Sequence, residues 1–125
     1  MSYLTGLRVE SIKRNLLETA NNYAKSWNCT IVLKSASTVV ASESGDIYIN
    51  NLGNSGMAKG GSGDVLSGTI ASFLAQGYDS FNAGVLGCAI HSIAGDLAKR
   101  EKTEWSLTPT DLIDYIPQAF KEITD

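Results

Sequence analysis

The 125-residue sequence predicts an α/β domain of layered type. Three observations carry this expectation. An apolar stripe with helical spacing fills the first quarter of the chain. Three short β-like runs follow it, and three capped helical runs close the chain.

In the first run, Val9, Ile12, Leu16, Ala20, Tyr23 and Trp27 recur at intervals of three and four. That spacing predicts one helix over 9–27 with a single apolar face. The β-like runs are 30–34, 37–41 and 47–50. Ile31, Val32 and Leu33 are apolar without alternation, as in a strand covered on both faces. Ser44-Gly45-Asp46 supplies turn residues, so the last two runs are expected to form an antiparallel hairpin. Helices are expected at 64–76, ended by Gly77, and at 80–99. The last opens at Thr108-Pro109-Thr110-Asp111, with Thr108 as cap, Pro109 in the first turn and Asp111 as capping-box acid. Pro117 is expected to kink or break it. Three strands among about four helices make a thin sheet, so the chain reads as one partial domain, 1–125, of a larger α/β unit.

Composition narrows the function classes. The chain is 43% apolar and 18% charged, with a net charge of −3. Such a balance, with scattered basic residues, argues against a nucleic-acid or anionic-membrane surface. No apolar run approaches the ~20 residues of a spanning helix, and no signal-peptide core opens the chain. Cys29 and Cys88 lack CxxC spacing and read as buried free thiols, which fits a reducing cytoplasm. His91 stands alone, so neither a histidine metal cluster nor a Ser-His-Asp triad has material. It reads as a packed histidine of an apolar helix.

The most informative stretch is 50–68, where Gly53, Gly56, Gly60, Gly61 and Gly63 precede a helical run opening at Asp64. Glycine lets backbone approach a ligand closely, and the unpaired amides of a helix start attract anions. Two familiar phosphate motifs fail here by spacing. After Gly61 comes Ser62 rather than Lys, so the P-loop pattern is not met. A dinucleotide fingerprint begun at Gly61 meets Leu66 where it needs glycine. Two readings stand side by side: a glycine-rich surface loop whose Asp64 caps a helix, or an anion cradle with a carboxylate base. Lys59 either offsets phosphate charge or reaches into water.

The run from Gly53 to Gly68, with Ala75-Gln76-Gly77 after it, resembles the ADP/ATP-dependent NAD(P)H-hydrate dehydratases, carbohydrate-kinase-like enzymes of the ribokinase-like superfamily. The likeness continues through Gly87 to His91, Ala94-Gly95-Asp96, Asp111-Leu112-Ile113 and Ile116-Pro117. Upstream, Val32-Leu33-Lys34-Ser35-Ala36-Ser37-Thr38-Val39 resembles the family's V-L-K-G-x-x-T segment, and Leu4-Thr5-Gly6 its L-T-G.

This resemblance implies the C-terminal portion of a three-layer α/β/α ribokinase-like fold, about half of the full domain. It implies phosphorylation of the ring hydroxyl of hydrated NADH or NADPH from ADP or ATP, followed by phosphate elimination. By the same matching, Asp64 meets the substrate and takes the hydroxyl proton. Gly61, Ser62 and Gly63 hold the phosphoryl, and Gly63 also touches the nucleotide. Lys34, Ser35, Ala36, Ser37 and Thr38 line the nucleotide, with Ser35 where the family usually has glycine. A positive φ there would strain a serine. Magnesium is implied as the accompanying ion, with no protein metal site legible. A homo-oligomer, or a second polypeptide supplying the first half of the domain, is the expected partner. The alternatives are a kinase of the same superfamily acting on a hydroxymethylpyrimidine or thiazole alcohol, and a non-catalytic, self-associating nucleotide-binding fragment.

Overall fold

The computed structural model describes residues 1–124. Among the described residues run α1 (Ser2–Thr5), α2 (Val9–Arg14), α3 (Leu16–Trp27), β1 (Ile31–Leu33), β2 (Thr38–Ala41) and β3 (Ile47–Asn50). A 3-10 turn (Ser55–Met57), α4 (Ser62–Ala75), α5 (Ser80–Glu101) and α6 (Pro109–Thr124) complete them. The chain is α/β, as its patterning predicts. It falls into two compact units, Met1–Asn51 and the remainder from Leu52.

In the first unit the helix expected over 9–27 divides at Asn15, whose φ of −126° and ψ of 47° leave the helical region. Asparagine competes poorly as a helix-interior residue because its amide favours local non-helical bonding. The joint stays closed: the Asn15 N–H donates to Ile12 O, and its carbonyl accepts from Thr19 N–H at 2.8 Å. Of the expected stripe, Ile12 and Ala20 are buried, as is neighbouring Ala24, while Val9 and Trp27 at its ends are exposed.

The strands form an antiparallel sheet in the order β1-β2-β3, pairing Ile31 with Ala41, Leu33 with Val39, and Val39 in turn with Ile49. Ile31, Leu33, Val39 and Ala41 share one face of the sheet and pack with Ile12, Ala20 and Ala24 of the helices. Val32, on the opposite face, is half-buried. The expected hairpin is present between β2 and β3. Its turn closes through Ser42 N–H to Asp46 O at 2.9 Å, and the Ser44 and Ser42 hydroxyls bind the Asp46 carboxylate, lowering its pKa. Cys29 is exposed, which corrects the buried thiol expected there: it follows Asn28, the left-handed cap of α3, and precedes the strand. Cys88 is buried as expected, and loss of water around it pushes its thiol up to about 11.

The second unit is helical. Phe73 of α4, Ala83, Ile90 and Ala94 of α5, and Ala119 of α6 form one buried cluster. Ala98, Leu107 and Leu112 form another, flanked by Met57 and Val65. Small residues on α5 set how closely its neighbours approach. A β-carbon on Gly87 would drive into the Ile70 side chain and lie 3.2 Å from the Ile70 Cα.

The start of α6 carries the expected capping box. Thr108 N–H and Oγ1 both donate to Asp111 Oδ2 at 2.8 Å, and Asp111 N–H donates back to Thr108 Oγ1 at 3.3 Å. Lys102 Nζ reaches the other carboxylate oxygen at 2.6 Å. This ammonium contact, then the Thr108 bonds, hold the Asp111 carboxyl at about 2. Pro117 does not break the helix, which continues to Thr124. The carbonyl that loses a partner belongs to Ile113, an exposed residue, while Tyr115, Ile116 and Ala119 pack inward and hold the helix in place.

Two measurements check this packing. Gly87→Ala should destabilise the chain by about 1–3 kcal/mol in urea unfolding, because overpacking outweighs the gain in helix propensity. Gly68→Ala, on α4 with nothing within 4 Å of the new methyl, should instead stabilise by about 0.5–1 kcal/mol. For the cap, the folded-state pKa of Asp111 lies below its unfolded value, so its contribution is full above about pH 4 and is lost as pH falls toward about 2. Asp111→Asn should therefore lower the thermal midpoint by about 4 °C at pH 6. That deficit should shrink between pH 4 and pH 2.

Candidate active site

The glycine-rich loop of the second unit ends where Gly61 adopts φ +95°, ψ −25°. A side chain at this φ would be strained, and a β-carbon there would also press on Pro109 at 3.0 Å. The turn allows α4 to begin at Ser62, two residues before the expected start, so Asp64 is the third residue of its first turn. Asp64 is exposed. Ser62 N–H donates to Lys59 O at 3.2 Å, and Asp64 N–H to Gly61 O at 3.1 Å. Among the described residues, the amides of Gly61 and Gly63 donate to no protein acceptor. The Ser62 hydroxyl is buried without a hydrogen-bond partner. Gly61, Ser62, Gly63 and Asp64 thus form one turn with two open backbone donors beside a solvent-facing carboxylate. This arrangement can bind an anion and accept a proton.

The turn is held from beneath by α5. Asp96 accepts twice, from Gly53 N–H at 2.9 Å through Oδ2 and from Asn54 Nδ2 at 2.9 Å through Oδ1. Asn54 Nδ2 also reaches Gly95 O at 3.0 Å, while Asn54 Oδ1 accepts from Gly56 N–H at 3.1 Å and caps the 3-10 turn. Met57 packs where a β-carbon on Gly95 would lie. His91 is buried, with Nε2 3.0 Å from Ser62 O. Because a carbonyl only accepts, that nitrogen is the donor. Lys59 Nζ donates to Trp105 O at 2.8 Å and Leu107 O at 2.5 Å, tying the loop to the segment before α6. The lysine, though exposed, is thus committed to these two carbonyls. Ser55 Oγ binds Glu104, which also pairs with Lys99. The Lys99 contact first, then the Ser55 hydroxyl, lowers the Glu104 pKa.

Asn54 and Lys59 escape the sequence reading as anchors, and Asp96, for which an N–H partner is one of two open readings, carries no assigned role there. A signal for them is present in the spacing of α5. Gly87, His91 and Gly95 recur every fourth residue and so share one helix face. On that face they meet Ile70, the Ser62 carbonyl and Met57 in turn. Small residues at helical spacing mark a place where other backbone comes close, and Asp96 adjoins that face.

The other sequence-predicted site residues lie in the first unit. Lys34, Ser35, Ala36 and Ser37 form the connection from β1 to β2, and Thr38 opens β2. Lys34, Ser35 and Ala36 are exposed, Ser37 and Thr38 half-buried. Among the described residues Asn28 is the non-glycine residue with positive φ, so Ser35 carries no such strain. No group of three or more His, Cys, Asp or Glu among the described residues could hold a metal ion.

Comparison with known proteins places the chain in a family. The carbohydrate-kinase family described as NAD(P)H-hydrate dehydratase matches residues 1–118. A bifunctional NAD(P)H-hydrate repair enzyme of Moorella thermoacetica is 39% identical over all 125 residues, which span 24% of that protein. The ADP-dependent (S)-NAD(P)H-hydrate dehydratase of Bacillus subtilis is 32% identical over 118 residues, 94% of this chain and 43% of the relative. The crystal structure of the Bacillus subtilis ADP/ATP-dependent dehydratase, co-crystallised with ATP and magnesium, superimposes with a TM-score of 0.92 at 31% identity, covering 97% of this chain and 44% of that one. The chain thus spans from a quarter to under half of the relatives it matches. It belongs to the NAD(P)H-hydrate dehydratase family and corresponds to part of that fold.

Proposed function

We propose that this chain supplies the catalytic-base and phosphate-cradle portion of an ADP- or ATP-dependent dehydratase that returns hydrated NADH or NADPH to the intact cofactor. The observation that carries the reading is the open turn at 61–64, with the unpaired amides of Gly61 and Gly63 beside exposed Asp64. Asp64 takes the proton of the ring hydroxyl as the hydroxyl oxygen attacks the terminal phosphoryl of the nucleotide. The bond from that phosphoryl to the bridging oxygen breaks and releases AMP from ADP or ADP from ATP. The two amides, preorganised by the Gly61 turn, stabilise charge on the transferring group. Ser62 flanks them with its buried hydroxyl, its own N–H being used within the turn. The carbon–oxygen bond then breaks with its electron pair on the departing phosphate, and loss of an adjacent ring proton restores the double bond.

In this reading Lys34, Ser35, Ala36, Ser37 and Thr38 contact the nucleotide, and the unstrained Ser35 backbone is compatible with that task. Magnesium fits as an ion carried by the nucleotide phosphates, since such ions take only one or two protein carboxylates. It would neutralise charge on those phosphates. No helix among the described residues is long and apolar enough to cross a membrane. The free thiol of buried Cys88 accords with a reducing cytoplasm. Exposed Ile47 and Ile49 on β3 support a covering partner, either a second copy or a polypeptide supplying the rest of the relatives' fold. Light scattering that shows only monomer would remove the self-association.

The deciding assay measures ADP- and ATP-dependent recovery of NADH absorbance from hydrated NADH, with wild type and Asp64→Ala in parallel. Loss of the base should lower the rate by about 10²–10⁴-fold. Equal rates would take Asp64 out of the mechanism. Stable phosphorylation of a hydroxymethylpyrimidine or thiazole alcohol, without NADH recovery, would instead favour the small-molecule kinase.

A further inference from the structure

Outside the turn itself, Asp96 of α5 is an acidic side chain that reaches across to the glycine-rich loop of this unit. Both of its carboxylate oxygens accept from the glycine-rich loop, at Gly53 N–H and at Asn54 Nδ2, each at 2.9 Å. It lies on α5, eight residues before Glu104 and well away in sequence from Asp64. The contact spans 43 residues of chain to Gly53. Asn54 passes the constraint on by capping the 3-10 turn through Gly56 N–H, and Met57 of that turn lodges over Gly95, the residue preceding Asp96. The next fixed point is Lys59, clamped on the Trp105 and Leu107 carbonyls. Gly61 follows two residues later and starts the cradle.

We infer that Asp96 is a positioning residue for the reaction proposed above. It touches neither nucleotide nor substrate. It fixes the base of the loop so that the Gly61 and Gly63 amides and Asp64 stand ready where charge develops. The inference rests on the proposed function for its chemistry and on the loop contacts for its mechanics. Glycine-dense backbone has more conformations to lose than other backbone, so an unanchored loop would sample many positions of its amides. Preorganised donors act only when held in place, and small displacements at a reacting centre cost up to about 10²-fold in rate.

Asp96→Asn tests this most simply. An amide keeps one acceptor oxygen and turns its other end into a donor, which faces a donor on the loop. Asn54→Ala removes the opposite side of the same contact and leaves α5 intact, covering the case in which the first variant fails to fold. Two readouts are needed. Hydrogen exchange resolved to single amides should show the amides of residues 53–57 exchanging at least ~10-fold faster in either variant, with Ile90 and Ala94 in the centre of α5 unchanged. Steady-state kinetics with ADP and hydrated NADH should show kcat lower by about 10–100-fold while both KM values stay within about 3-fold. Unchanged loop exchange would overturn the anchor. Faster exchange with unchanged kcat would show that Asp96 holds the loop without serving the reaction, which overturns the inference while leaving the proposed function standing. A wild-type chain with no turnover would sink the proposed function and Asp96's part in it together, with the exchange data still deciding the anchor.

Discussion

The hold of Asp96 on the loop at 53–54 is the interaction on which the candidate site depends. A loop with five glycines within eleven residues, 53–63, carries little side-chain surface of its own to bury. Its position must come from hydrogen bonds to something rigid, and α5 is the most buried element of its unit. One carboxylate satisfies a backbone N–H and a side-chain amide at the root of the loop. Charge-assisted bonds of this kind are roughly twice as strong as neutral ones. Gly95 adds a notch for Met57, and the segment before α6 adds two carbonyls for Lys59. From these three points the chain reaches the Gly61 turn with few remaining choices.

The same economy explains which groups stay open. Ser62 and Asp64 amides are spent closing the turn, and His91 braces the Ser62 carbonyl from below. The amides of Gly61 and Gly63 are left over, together with a carboxylate in water. The first amides of a helix have no intrahelical partner, so at this turn two of them stay open to a ligand or to water. The proposed ligand takes its chemical class from the family to which the chain belongs, the NAD(P)H-hydrate dehydratases.

Local chemistry was legible in the sequence and long-range contact was not. The three strands, the β2–β3 hairpin and the capping box of α6 depend on neighbours a few residues away, and each is where the pattern places it. The same holds for Gly61, whose turn chemistry is visible in a run of glycines. The division of the first helix at Asn15 went unseen because apolar periodicity passes through it. Pro117 carries a strong helix-breaking prior, yet packing of Tyr115, Ile116 and Ala119 overrides it. The anchoring contacts of Lys59 and Asp96 are not legible in sequence, because their partners lie more than forty residues away. Only the four-residue spacing of Gly87, His91 and Gly95 hinted that another backbone comes close there.

The central claim is that α5 holds the loop through a direct coupling of Asn54 to Asp96. A double-mutant cycle on unfolding free energy, with Asn54→Ala, Asp96→Ala and the double variant, measures that coupling itself. The structure predicts that the two substitutions are non-additive, with an interaction of about 0.5–3 kcal/mol, the range for residues in direct contact. Additivity within about 0.3 kcal/mol would contradict it and return the loop to an unanchored state.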